Sequence, residues 1–186
     1  GFDVWALSGA ALAHARAFRW NTEDPLPCRN LATVFALVGG YLAVIVLLAR
    51  IPLGWRERLS ASLIFRGAVS LHSLVLCLGS LGMFLGGLLA YWLEYERKGQ
   101  LGWLVCKDLE VGGASASAGA PYFVAYVYYL SKYLELLDTC ILVLKGKSLS
   151  LLHVFHHAVM PLMCWLWLQQ RQSLHEIALL TNTFIH

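Results

Sequence analysis

The chain has 186 residues, 59% of them hydrophobic and 13% charged, with 14 Lys+Arg against 11 Asp+Glu and a net charge of +3. Mean hydropathy is +0.63, whereas a soluble domain usually carries about 25% charged residues. These values exclude a disordered chain, a collagen-like chain and a disulfide mini-scaffold, and so mild a charge excludes nucleic acid as the expected partner. What remains is an all-α, polytopic transmembrane helix bundle, one domain over residues 1–186, with the lipid bilayer around it.

Val4–Ala13 is apolar, but it is short and lacks the preceding basic residues of a signal peptide. A spanning helix needs ~20 predominantly apolar residues. Leu31–Ala49 meets this without a charge, framed by Arg29 and Arg50. Gly67–Leu93 is uncharged and long enough to cross with tilt, and its Gly79, Gly82, Gly86 and Gly87 suit close helix packing. Pro121–Leu144 is a third span and contains Lys132, Glu135 and Asp138. Leu149–Leu168 is a fourth and contains His153, His156 and His157. A fifth begins near Leu174 and is incomplete at His186. The start at Gly1 and the stop within an apolar run read as an excerpt of a longer protein.

The connections carry the topology signal. Arg50, Arg56, Arg58 and Arg66 face one acid, Glu57, in the turn after the first span. Lys145 and Lys147 occupy the turn before the fourth. Two spans separate these basic turns, so both fall on one side, which the positive-inside rule makes cytoplasmic. Glu94–Ala120 mixes signs and ends in a small-residue linker, Val111–Ala120. The five cysteines, Cys28, Cys77, Cys106, Cys140 and Cys164, form no CxxC and are spread over apolar segments. They read as small apolar side chains rather than a disulfide framework.

Two polar clusters stand out. Lys132, Glu135, Asp138 and Thr139 are spaced i, i+3, i+6 and i+7, which reads as one helical stripe. A charge near mid-bilayer costs about 2.5–3.5 kcal/mol on the insertion scale, so such groups face the bundle interior and find partners. One reading is a structural Lys132–Glu135 pair; three ionisable groups and a threonine favour a polar cavity. His153, His156 and His157 share a face one turn long at the start of the fourth span. Imidazole serves as metal ligand, general base or nucleophile near neutral pH. Pro161 removes one backbone donor four residues after His157 and is expected to loosen the helix there. Asn182 and His186 form a third element at i, i+4. His72 and His175 are weaker candidates, a packed core residue and an interface residue.

Two enzyme chemistries compete for the box. A di-iron desaturase or hydroxylase also uses HxxHH, but such sites collect histidines from several boxes and none lies upstream here. The other is metal-free acyl chemistry. A non-enzymatic transporter or scaffold with a proton-relay cluster is a third class.

Lys132–His157 reads KYLELLDTCILVLKGKSLSLLHVFHH. It resembles the ELO family of very-long-chain fatty-acid elongases, the 3-ketoacyl-CoA synthases of the endoplasmic reticulum. Lys132, Glu135, Asp138 and Thr139 fill that family's KxxExxDT motif, and His153, His156 and His157 fill its HxxHH box. Asn182 and His186 match the start of its NxxxHxxMYxYY motif, whose tyrosines are missing. The tract from Cys164 to Asn182 looks closest to plant and algal members. About five of the seven expected spans are then present, with the chain truncated at its C-terminus.

The resemblance implies condensation of a long-chain acyl-CoA with malonyl-CoA, giving a 3-oxoacyl-CoA two carbons longer, CO2 and CoA. It implies no cofactor and no metal, an endoplasmic reticulum membrane location, and association with further copies or with other enzymes of the elongation cycle. His156 is the implied acyl acceptor, with His153 or His157 orienting it or shuttling protons. His186 and Asn182 would donate to a developing oxyanion. Glu135 and Asp138 are read as orienters of the histidines or partners of Lys132. Lys145 and Lys147 lie where CoA arrives, although topology alone accounts for them. HVFHH rather than HVYHH suggests saturated or monounsaturated acyl chains.

Overall fold

A computed structural model describes residues 4–23, 28–100, 102–105, 117–170, 172 and 174–185. These residues form eight α-helices and an isolated Arg19–Ala118 bridge: α1 (Val4–Ala17), α2 (Leu31–Arg50), α3 (Leu53–Ala61), α4 (Leu63–Lys98), α5 (Gly102–Val105), α6 (Ala120–Leu144), α7 (Leu151–Gln170) and α8 (His175–Ile185). The all-α expectation holds. Segment 106–116, Arg171 and His186 lie outside the described residues, and with them Cys106, most of the Val111–Ala120 linker and the second half of the Asn182/His186 pair.

Local chemistry sets the helix ends. Asn30 Oδ1 accepts the Ala32 amide at 2.8 Å and starts α2; Ser62 Oγ accepts the Phe65 amide at 3.2 Å and starts α4. Gly99 closes α4 in the left-handed region (φ 68°), where the missing Cβ removes the steric cost. Pro121 sits in the first turn of α6, where its missing N–H has no helical partner to lose. Ser150 Oγ accepts the His153 amide at 3.1 Å and caps α7.

Helix α6 is the hub, packed by α1, α2, α3, α4, α7 and α8. It buries Tyr122, Tyr126, Tyr128 and Tyr129 together with Lys132, Glu135 and Thr139. By contrast α2 and α4 turn leucines, valines and aromatics outward; Phe35 is 58% exposed and Leu71 62%. Helices α2, α4 and α7 are long and apolar enough to cross a bilayer. So large an outward apolar surface belongs in lipid, and the protein is a membrane protein. Helix α6 has the length of a span as well; its Lys132 and Glu135 point inward, as paired intramembrane charges do, while Asp138 is half-exposed.

The bundle has two distinct ends. At one, Trp20 N donates to Ser117 O (2.8 Å), Gly119 N to Phe18 O (2.9 Å) and Leu174 N to Leu104 O (3.2 Å). At the other, Arg56 Nη1 donates to Val143 O at 2.9 Å, and a Cβ on Gly146 would lie 2.8 Å from Leu53 Cδ1. The two basic turns therefore share one end, as the span count requires.

Two local expectations are corrected. Of the four α4 glycines, Gly87 meets a helix neighbour, with Leu180 Cδ2 3.2 Å from its would-be Cβ. Gly79, Gly82 and Gly86 have nothing within 4 Å among the described residues, because they do not face α8. Helix α7 also runs unbroken through buried Pro161, held by its packing on α6. Cys28, Cys77, Cys140 and Cys164 are free thiols, in keeping with a packing role.

Candidate functional site

The candidate side chains come from five helices, and α6 carries most of their contacts. Lys132 Nζ donates to Glu135 Oε1 at 2.7 Å and to Asn182 Oδ1 of α8 at 2.8 Å. It also lies 4.1 Å from the Tyr128 ring centroid. Lys132 is 2% exposed and Glu135 5%. In so dry a place the ion pair must be well matched, because stripping water from either charge alone is expensive. Ser131 Oγ adds a long contact to Glu135 Oε1 at 3.5 Å. An ammonium has only protons to give, so the Asn182 group facing it is the oxygen. That leaves the Asn182 amide NH2 free to donate elsewhere.

One turn further along α6, Thr139 Oγ1 lies 2.9 Å from His153 Nε2 of α7 and 2.9 Å from the Tyr41 hydroxyl of α2. The Ser150 cap sets His153 in the first turn of α7. The His153 and His157 rings follow one another at 4.4 Å between centroids, and His156 meets His157 edge to face at 5.5 Å. His157 is buried, His153 half-buried and His156 exposed. The box thus runs from an anchored imidazole through a buried one to one that is open to an incoming molecule.

Asp138 does not join this group. Its Oδ1 meets His72 Nε2 of α4 at 2.9 Å. The single stripe inferred from the spacing is really two faces. Six residues at about 100° each carry Asp138 about 120° round from Lys132. Glu135 is therefore a partner of Lys132, as one reading had it, while Asp138 orients a histidine outside the box. Spacing along one chain could not find Tyr41, and His72 had been read as a packing residue. The available signal was the lone imidazole and the lone phenol in two otherwise largely apolar spans. Lys145 and Lys147 are exposed at the end of the bundle where Arg56 is anchored. His175, at the start of α8, is fully buried: its Nδ1 lies 2.7 Å from Gln172 O and its ring packs on Tyr122 and Trp167. Among the described residues no three His, Cys, Asp or Glu side chains are grouped as metal ligands.

Residues 26–186 match the ELO, GNS1/SUR4 family. Fatty acid elongase sre1 and fatty acid elongase A, both from Dictyostelium discoideum, are 31% and 32% identical over 91% of this chain, covering 59% and 57% of their own lengths. Very long chain fatty acid elongase 2 of Mus musculus is 33% identical over 67% of this chain and 41% of its own length. The chain spans about half the length of the curated relatives it matches. No solved structure matches it. With a family match over most of its length, the chain belongs to the ELO, GNS1/SUR4 family.

Proposed function

We propose that the protein containing this chain is the condensing enzyme of fatty-acid elongation. It joins a long-chain acyl-CoA to malonyl-CoA and releases a 3-oxoacyl-CoA two carbons longer, CO2 and CoA. One observation carries the reading: the three motif-bearing helices interlock through side chains. Thr139 binds His153, and Lys132 binds Asn182, so that an exposed imidazole, a buried imidazole and an oriented amide donor belong to one network.

His156 acts as nucleophile on the acyl thioester. Its ring nitrogen forms the N–acyl bond, the carbon–sulfur bond breaks, and the ring's other proton leaves by way of His157 to the departing CoA thiolate. Splitting the condensation in two lowers each barrier. Malonyl-CoA then loses CO2, its enolate takes the acyl group from His156, and a proton from water, relayed by His157, restores the neutral His156 imidazole. The Asn182 amide, with His186, supplies donors to the oxyanion, which count most where water is excluded. His153 stays behind, held by Thr139, and neither a metal nor an organic cofactor is required. The basic end with Lys145 and Lys147 faces the cytosol from the endoplasmic reticulum membrane and meets CoA there. Further copies, or other enzymes of the cycle, act alongside.

The test is made on the whole protein. Expressed in yeast lacking its own elongases, it should lengthen fatty acids by two carbons, read by fatty-acid profiling. Purified protein given acyl-CoA alone should release CoA and gain an acyl mass on the Leu152–Met160 peptide. His156→Ala should do neither, and should fold normally because the residue is exposed. CoA release only after malonyl-CoA is added would make His156 a general base in a ternary complex. Stoichiometric iron with oxygen-dependent turnover would move the protein to the desaturase class.

A further inference from the structure

Tyr41 lies on α2, outside every motif, yet the residue is 5% exposed and its hydroxyl sits against the box's own anchor. The Tyr41 OH–Thr139 Oγ1 and Thr139 Oγ1–His153 Nε2 distances are both 2.9 Å. Apolar groups surround the chain of three: Ile45, Leu136, Val143, Val154 and Ala158 pack in the same cluster. Water cannot stand in for a missing partner there, so each hydroxyl proton needs an acceptor within the chain.

Counting protons then fixes the direction. Two hydroxyls bring two protons. Thr181 and Thr183 donate to helix carbonyls behind them, but Thr139 makes no such bond among the described residues, so both protons find acceptors only if Tyr41 donates to Thr139 and Thr139 donates to His153 Nε2. In the reverse order Nε2–H donates to Thr139 and Thr139 donates to Tyr41, which leaves the Tyr41 proton stranded in an apolar pocket. We infer that Tyr41 is a positioning residue that acts through Thr139 to hold His153 as the tautomer protonated on Nδ1. His153, its Nε2 lone pair occupied by Thr139, is thereby kept from competing as a base with His157, whose ring lies 4.4 Å away. The tautomer claim stands on geometry alone; its kinetic consequence rests on the elongase reading.

The whole protein, labelled with 15N-histidine and placed in a bilayer, tests both halves. In solid-state NMR the protonated and unprotonated ring nitrogens of His153, assigned by their loss in His153→Gln, are separately visible. Wild type and Thr139→Ser should show Nδ1 protonated and Nε2 bare. Tyr41→Phe, which keeps the ring and the packing, and Thr139→Val should show a mixture of tautomers. Condensation by Tyr41→Phe should have kcat about fivefold to tenfold lower, the scale of one lost hydrogen bond, with KM for acyl-CoA unchanged. Combining it with Thr139→Val should add little to the loss from Thr139→Val alone. A wild-type His153 protonated on Nε2 overturns the inference, as does a Tyr41→Phe enzyme with unaltered tautomer or unaltered kcat. If Tyr41→Phe does not fold, the wild-type tautomer and the Thr139→Ser against Thr139→Val contrast decide the question. If the wild-type protein condenses nothing, the elongase reading fails while the tautomer measurement still judges Tyr41.

Discussion

The two halves of α6 handle buried polarity in opposite ways. Around its first half, most polar side chains end on backbone carbonyls, although Trp20 Nε1 donates to Gln169 Oε1 at 3.0 Å and the Tyr129 and Tyr133 hydroxyls meet at 2.6 Å. Arg29 Nη1 donates to Arg19 O (3.1 Å) and Asn21 O (3.4 Å), and its guanidinium lies over Phe18, Trp20 and Tyr126 at 5.1–5.4 Å. Trp165 Nε1 donates to Arg29 O, Ser117 Oγ to Leu168 O, and Tyr129 OH to Cys28 O. Around its second half, most polar side chains end on other side chains, Lys132 on Glu135 and Asn182, Thr139 on Tyr41 and His153, Asp138 on His72; Arg56, at the end of the helix, reaches the Val143 carbonyl. A carbonyl acceptor fixes the path of the chain and has no proton to exchange. A side-chain acceptor can change partner, tautomer or charge. The first arrangement is suited to a clamp and the second to the chemistry proposed above.

Removing the lysine should break the second half most. Lys132→Ala leaves Glu135 buried without its cation and should cost about 3–5 kcal/mol, read from unfolding of the purified protein in detergent. Replacing both, as Lys132→Met with Glu135→Leu, should recover most of that stability but not condensation. Recovered activity would show that the pair serves the fold alone.

The clamp should fail differently. Arg29→Ala removes hydrogen bonds from a charged donor and its contacts with three aromatic faces, a loss of about 2–3 kcal/mol. Turnover per folded molecule should stay at the wild-type level. A fall in turnover without a fall in stability would erase the distinction between the halves.

The smallest effect belongs at the α4–α8 seam, which lies between the two regimes. Gly87→Ala gains about 0.5–1 kcal/mol of helix preference. It also pushes a methyl towards Leu180 Cδ2, the flexible tip of a side chain, 3.2 Å away. The two should nearly cancel, leaving stability within about 0.5 kcal/mol of wild type. A larger loss would mean that α8, and Asn182 with it, is held more tightly than one leucine tip implies.

The spans, the shared end of the two basic turns and the identity of most polar residues were legible from the chain itself. Each rests on a local rule: apolar length, a count of crossings, helical spacing. Asp138 shows where such rules stop. The same spacing that grouped it with Lys132 permits a turn of the helix large enough to reach another neighbour, and α4 was that neighbour. His72 and Tyr41 went unrecognised because their importance lies in partners 66 and 98 residues away.

Hydropathy by itself determined that this is a helical membrane protein, because the cost of exposing polar backbone to lipid leaves few alternatives, and the order of the motifs carried the resemblance to the ELO family. The tertiary structure decided how the polar residues are shared out. A buried donor must find an acceptor, and which helix brings that acceptor within 2.9 Å depends on how all the helices pack around α6.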